Sequence, residues 1–331
     1  MKALVTVLLL LSFISVLPAQ DEGDAAKTER LEKRMRLADE LEAQGDEDGA
    51  VQILGELADA DPDNVELQER VVGMLMRSER FPEAVPRLRK LLELKDGSAA
   101  DYGALGRMMI EVREFEAAVS FLEEAAKRFP ESADFPFLAT FPLGNLERWA
   151  DAITQFEKTI ILAGKTKPDI LNEGFYFRYA AAFERTGKFA EAETLFRKTL
   201  DLIKANDPTG ENPEFTATVL NYLAYMWIER GENLDEAGAM ATEAVNLSPD
   251  SGAIADTVGW YHFQKGEYPR ALVELKRAER LIEEPDAVIL DHLGQTLAKL
   301  KEKEFAAEYF REALKLDPEN EAIKARLAEL E

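Results

Sequence analysis

The sequence predicts an all-α fold, a solenoid of about eight helix–turn–helix repeats closed by a C-terminal capping helix. Three observations predict it. From Leu31 onward the apolar residues recur with helical spacing, and no stretch alternates as a strand would. Between Thr218 and Pro318 one pattern returns three times at a period of 34 to 35 residues. Each return opens with a large–small pair (Leu223-Ala224, Val258-Gly259, Leu293-Gly294) and continues with Ala237, Ala271 or Ala306 on a second helix.

The N-terminus comes first in chain order. Lys2 precedes an uncharged, mostly apolar run from Ala3 to Leu17, and acidic sequence begins at Asp21 after Pro18, Ala19 and Gln20. A run of 15 residues is short for a bilayer span. A basic start, an apolar centre and a small residue at a polar boundary describe a secretory signal peptide over 1–19, with an uncleaved anchor as the alternative. Residues 20–30 are polar, acidic and without an apolar period, which predicts a flexible leader.

The alanines of the second helices set the phase of the repeats. Ala50, Ala84, Ala118 and Ala152 are 34 residues apart, the next steps to Ala192 and Ala237 are 40 and 45, and Ala271 and Ala306 follow at 34 and 35. The long steps place insertions at Gly164–Pro168 and around Asp207–Phe215, the second rich in Pro and Gly and read as a loop. The spacing thus divides the chain into an N-terminal array over 31–166, an intermediate repeat over 173–206 and a C-terminal array over 217–320. The fourth repeat is irregular, because Pro136 and Pro142 both fall in its first helix. Residues 321–331 form a capping helix with a polar side, which an array needs to cover its last apolar face.

These marks resemble the tetratricopeptide repeat family over about 290 residues. The best-formed repeat upstream is 99–132, with Tyr102, Leu105-Gly106, Ala118, Leu122, Ala125 and Pro130; Tyr176, Tyr179-Ala180, Phe183, Ala192 and Phe196 carry the intermediate repeat. In the second repeat Val72 stands where the small residue is wanted. Each mark is steric. The small residue of the first helix admits the second helix closely, and the closing Pro ends the second helix because it lacks an N–H. The C-terminal block, with Leu220–Tyr225, Arg230–Ala237, Asp256–Trp260 and Asp291–Gly294, resembles bacterial exported tetratricopeptide proteins. Some of those are outer-membrane lipoproteins that act as adaptors for carboxyl-terminal processing proteases; the chain has no cysteine for such lipidation.

Composition excludes several function classes. Lys and Arg total 40 against 64 Asp and Glu, a formal net charge of −24. Such a surface repels phosphate backbones and anionic headgroups, so neither nucleic acid nor strong membrane binding is expected. Without cysteine there are no disulfides, thiolate nucleophiles or Cys-based metal sites. Of the two histidines, His262 takes an aromatic packing position and His292 is expected to be exposed; neither belongs to a zinc-hydrolase motif. Gly164-Lys165-Thr166 lacks the earlier glycine of a phosphate loop, and Gly45–Gly49 lacks the first Asp of a calcium loop. No catalytic residue, cofactor or metal is expected.

What remains is a binding surface. In the family, one face of each repeat's first helix lines a concave groove, and the resemblance places Phe177, Asn221, Tyr225, Asp256, Trp260, Phe263, Asp291 and Gln295 there, with Phe137 and Phe141 upstream if the irregular helix holds. The lysines, arginines and asparagines with which some members grip a C-terminal carboxylate are not matched in the C-terminal array. Aromatics beside Asn and Asp suit an extended or helical peptide. The alternative for Trp260 and Tyr225 is packing against neighbouring helices. The expected function is that of an exported, non-enzymatic adaptor or scaffold that holds a protein or peptide in the cell envelope, and the resemblance of the C-terminal block implies an envelope protease or its substrates as that partner. The alternative is a self-associating structural scaffold with no peptide ligand.

Overall fold

The computed structural model describes residues 24–207 and 209–330, and the expected signal peptide over 1–19 lies outside them. Among the described residues, seventeen α-helices follow one another, sixteen of them in eight antiparallel pairs. The pairs are α1 (Asp24–Ala43) with α2 (Glu47–Ala60), α3 (Val65–Arg77) with α4 (Phe81–Leu94), and α5 (Ala99–Glu111) with α6 (Phe115–Arg128). Then come α7 (Asp134–Asn145) with α8 (Trp149–Thr166), α9 (Glu173–Arg185) with α10 (Phe189–Asn206), and α11 (Pro213–Arg230) with α12 (Leu234–Leu247). The last are α13 (Gly252–Gln264) with α14 (Tyr268–Leu281) and α15 (Ala287–Lys299) with α16 (Lys303–Leu316), followed by α17 (Glu321–Ala328). The chain divides into two compact units, Met1–Phe129 and Pro130–Glu331, and each is a stack of such pairs.

The helix boundaries follow from local chemistry. The first helix of most pairs opens on a short polar side chain that accepts a backbone N–H: Asn64, Ser98, Asn172, Asn212, Ser251 and Asp286 do this for α3, α5, α9, α11, α13 and α15. Ser98 and Asp101 complete a reciprocal capping box. Most second helices end at a cap residue that a proline follows. Asp61, Phe129, Ser248 and Asp317 leave helical geometry with φ of −134°, −124°, −141° and −130°, ahead of Pro62, Pro130, Pro249 and Pro318. The turn inside each pair needs one left-handed residue. Gly45, Gly187, Gly231 and Gly266 supply it in four pairs, and Glu79, Arg113, Glu147 and Lys301 in the other four.

The small residues do what the pattern requires of them. A Cβ on Gly106 would lie 2.5 Å from Leu122 of α6, one on Gly259 2.6 Å from Leu275 of α14, and one on Gly294 2.5 Å from Phe310 of α16. Between these close approaches the core is continuous within a unit. Ala255, Ala271, Leu275, Ala278, Ile289 and Leu293 are all buried, and Leu290, Leu297, Phe310 and Ala313 pass the core on to Ile323 of α17. Burial of Ile323 makes α17 the cap.

Two local expectations change. Residues 24–30 belong to α1, not to a flexible leader; exposed ion pairs one turn apart, such as Glu29–Lys33 at 2.8 Å, support the helix where apolar residues are scarce. The irregular helix of the fourth pair does form. Pro136 lies in its first turn, where no intrahelical donor is needed, and Pro142 near its end removes one hydrogen bond while both rings are buried. The insertion expected at Gly164–Pro168 takes the form of a longer second helix, α8 running to Thr166, and a 3₁₀ turn over Pro168–Ile170.

The second insertion is a loop only as far as Asn212. Asp207 holds it, its two carboxylate oxygens accepting the amides of Glu211 at 2.9 Å and Asn212 at 2.8 Å. These backbone bonds hold the Asp207 carboxyl below its usual range.

Candidate partner-binding face

In the second unit, the first helices of successive pairs lie in register. Three of them, α9, α11 and α15, carry a residue that reaches back onto the helix before it. His292, which follows Asp291 in α15, sits over Asp256 and Trp260 of α13. Tyr222, which follows Asn221 in α11, meets Phe177 of α9 edge-on with ring centroids 5.0 Å apart. Arg178, which follows Phe177 in α9, lies over Phe141 of α7 at 4.3 Å and over Phe137 at 5.5 Å. The helical repeat puts these residues and the expected groove residues on one side of their helices.

At the C-terminal end this register builds an ionic cluster around the buried pair His292 and Asp256. His292 Nδ1 lies 2.9 Å from Asp256 Oδ1, and its Nε2 lies 3.8 Å from Glu229 Oε1 at the end of α11. The imidazole stacks on the Trp260 indole, centroids 3.9 Å apart, and Phe263 stacks on the other face at 4.3 Å. Burial opposes a charge on His292, but the two carboxylates outweigh it and raise the pKa to about 9. The imidazole is therefore a cation at neutral pH. In turn His292 holds the Glu229 carboxyl below its usual range, with smaller contributions from Tyr225 and Trp260. The Trp260 indole N–H lies near enough to contribute without completing a hydrogen bond. Burial pushes the Tyr225 hydroxyl well above its ordinary value.

Asp291 points the other way along the stack. Its oxygens accept both Arg326 Nη1 of α17, at 2.8 and 2.9 Å, and Gln295 Nε2 at 2.9 Å. Burial pushes the Asp291 carboxyl up, against the pull of Arg326 and His292. The cap is thus tied to α15 by an ion pair as well as by Ile323.

The expected groove residues therefore fall into two sets. Asp256 and Trp260 are 5% and 6% exposed and lie inside the packing between helices. Phe177, Asn221, Tyr225, Phe263, Asp291 and Gln295 are half-buried, with part of each still open. Among these, Asn221 Oδ1 is buried and accepts no hydrogen bond. Phe137 and Phe141 are likewise half-buried, so the aromatic face extends from α7 through α9 and α11. His292 departs from expectation, being buried at 3% exposure. Its position directly after Asp291 turns it towards α13, where two carboxylates make burial of a cation tolerable.

Three residues of this face were not anticipated in that role: Glu229, Arg178 and the inward-turned His292. The available signal was phase, since each lies next to or one turn beyond an expected groove residue. Among the described residues, no group of three His, Asp or Glu side chains is placed to hold a metal ion, and no helix is long and apolar enough to cross a membrane.

Comparison with known proteins gives this geometry its family context. Residues 287–320, which are α15 and α16, match the tetratricopeptide repeat family. A stretch of 131 residues is 31% identical to the TPR repeat-containing protein PA4667 of Pseudomonas aeruginosa; it takes in 40% of this chain and only 20% of the length of that relative. Among solved structures, a tetratricopeptide repeat protein from Parabacteroides merdae superposes with a TM-score of 0.54 at 16% identity, over 90% of this chain and 98% of the other. A chain of the APC/C hetero-tetramer Cut9–Hcn1 superposes with a TM-score of 0.55 at 16% identity, over 86% of this chain and 53% of the other. Residues 287–320 are a tetratricopeptide repeat, and the helix pairs before them share the all-α, paired-helix fold of tetratricopeptide repeat proteins.

Proposed function

We propose that the chain is an exported, non-enzymatic adaptor that holds a partner polypeptide on the face formed by α7, α9, α11, α13 and α15. Tetratricopeptide arrays generally act as protein-interaction scaffolds. The observation that carries the assignment of this face is a set of half-buried rings, Phe137, Phe141, Phe177 and Tyr225, beside the unpartnered Asn221 Oδ1. A buried acceptor without a donor costs stability that a bound peptide N–H can recover, and the rings offer apolar anchors beside it.

Export rests on the apolar run from Ala3 to Leu17, and an envelope protease or its substrates as partner rests on the resemblance of the C-terminal block. The test is affinity capture from the native cell envelope with the mature chain, followed by mass spectrometry, and repeated with an Asn221→Ala, Tyr225→Ala double variant. A captured protein lost by the variant supports this face. Undiminished capture removes it. Light scattering of the purified chain decides the rival: a defined oligomer with no captured partner favours a self-associating scaffold. An intact mass on native material that retains Met1 would sink cleavage of the signal peptide.

A further inference from the structure

Arg178 is the odd arginine of this protein. Every other half-buried arginine among the described residues faces a carboxylate; Arg70, Arg87, Arg197, Arg277 and Arg326 pair with Asp39, Asp59, Glu193, Glu274 and Asp291. Arg178 has no such partner. Its Nε is buried and donates to nothing, and its neighbours are the Phe141 and Phe137 rings. Burial alone pushes its pKa down, with no acidic group pulling the other way. In a chain of 64 acidic and 40 basic residues, an unpaired cation in a half-dry aromatic setting is unexpected. Ring faces attract a guanidinium but leave its N–H groups unsatisfied.

We propose that Arg178 is the receptor for a carboxylate of the bound polypeptide, an acidic side chain whose apolar neighbour packs on Phe141 and Phe137. The proposal rests on the partner-binding reading above and adds a specificity to it. A guanidinium presents parallel N–H donors that a carboxylate takes in pairs, and Nε is one donor of that fork. Binding would satisfy the buried Nε–H and neutralise the charge at once. The rings exclude water from the pair, which strengthens it. Local charge complementarity favours this occupant: the surface as a whole is acidic, and at Arg178 the half-buried charge on this face is a cation with no internal carboxylate to neutralise it.

The test uses the mature full-length chain and two blocked synthetic peptides, one alternating leucine with glutamate and one alternating leucine with glutamine. The glutamate peptide should bind at least tenfold more tightly than its glutamine counterpart, read by fluorescence anisotropy. Arg178→Met should abolish that difference, and Arg178→Lys, which keeps stem and charge but loses the fork, should recover only part of it. Neither variant should melt far below the parent, because the charge removed or altered has no internal carboxylate and methionine or lysine keeps a long side chain against the rings. Equal binding of both peptides, no binding of the glutamate peptide, or full affinity in Arg178→Met would each overturn the proposal. Displacement of the peptide by inorganic phosphate at far lower concentration than by acetate would reassign Arg178 to phosphate and overturn the carboxylate. Equal binding of both peptides would leave the groove itself standing, whereas undiminished envelope capture by the Asn221→Ala, Tyr225→Ala variant would fail the groove independently of Arg178.

Discussion

His292 Nδ1 and Asp256 Oδ1 lie 2.9 Å apart although 36 residues separate them in sequence, and both side chains are buried. The pair joins the first helices of consecutive repeats, α13 and α15, at the point where Trp260 stacks on the imidazole. Nearest-neighbour coupling, which sets the cooperativity of repeat arrays, is therefore partly ionic here.

That ionic share makes stability fall with alkali. The His292 pKa is raised in the folded chain, from 6.5 to about 9. A raised pKa contributes fully below the unfolded value and is lost as pH climbs through the folded one. Thermal melts should therefore decline between pH 6.5 and 9, by up to about 3 kcal/mol on linkage from the shift. His292 holds the Glu229 carboxyl below its usual range and burial holds the Tyr225 hydroxyl well above its own, so neither competes with His292 in this window. His292→Gln should flatten the profile; an unchanged slope would refute the assignment.

Trp260 and Tyr225 should behave differently although they occupy equivalent places in adjacent repeats. Trp260 is 6% exposed and sandwiched between His292 and Phe263, so Trp260→Ala should cost about 3–5 kcal/mol of folding, read from denaturant melts. Tyr225 is half-buried on the open side. Tyr225→Ala should cost less stability and weaken capture of the envelope partner; equal losses of stability in the two variants would refute the distinction.

The close approach at Gly294 yields a steric prediction. A methyl group there meets the Phe310 ring at 2.5 Å, and Phe310 is buried between α15 and the cap. Gly294→Ala should destabilise by about 1–3 kcal/mol despite the better helix propensity of alanine. Gly73→Ala, whose nearest neighbour is the end of the Arg77 side chain at 3.7 Å, should instead be neutral or stabilising.

Four turns carry strain that glycine would relieve. Glu79, Arg113, Glu147 and Lys301 hold φ between 55° and 68° where the other pairs place glycine. Arg113→Gly and Lys301→Gly should each raise stability by about 0.5–1 kcal/mol, the left-handed penalty exceeding the chain entropy that glycine loses. A lower melting temperature in either variant would show that the side chain contributes more than its backbone costs.

The array was legible in the sequence because its rules are local. Small residues, closing prolines and alanines at a fixed period are each dictated by one helix meeting the next, so Ala50 through Ala306 mark the eight pairs correctly. The face was legible only in part. Phase identifies the side on which Asp256 and Trp260 lie, but not how deeply the following helix buries them. His292 shows why: its environment is made by residues 32 and 36 places upstream, Trp260 and Asp256, and by Glu229 further back, so no local window contains it. The helix around Pro136 and Pro142 was obscured for the opposite reason, since local propensity argues against it and burial of both rings overrides that cost.

The backward reach of His292, Tyr222 and Arg178 makes the repeats of the second unit non-interchangeable. Excising residues 252–286, one whole pair, would preserve the helical period and bring α15 onto α11. His292 would then face Asn221 and Tyr225, which hold the places of Asp256 and Trp260, and its imidazolium would lose Asp256, the nearer of the two carboxylates that sustain it. The modules look alike, but three of them are keyed to the one before. A chain built this way can be lengthened at its ends far more readily than it can lose or reorder a pair within.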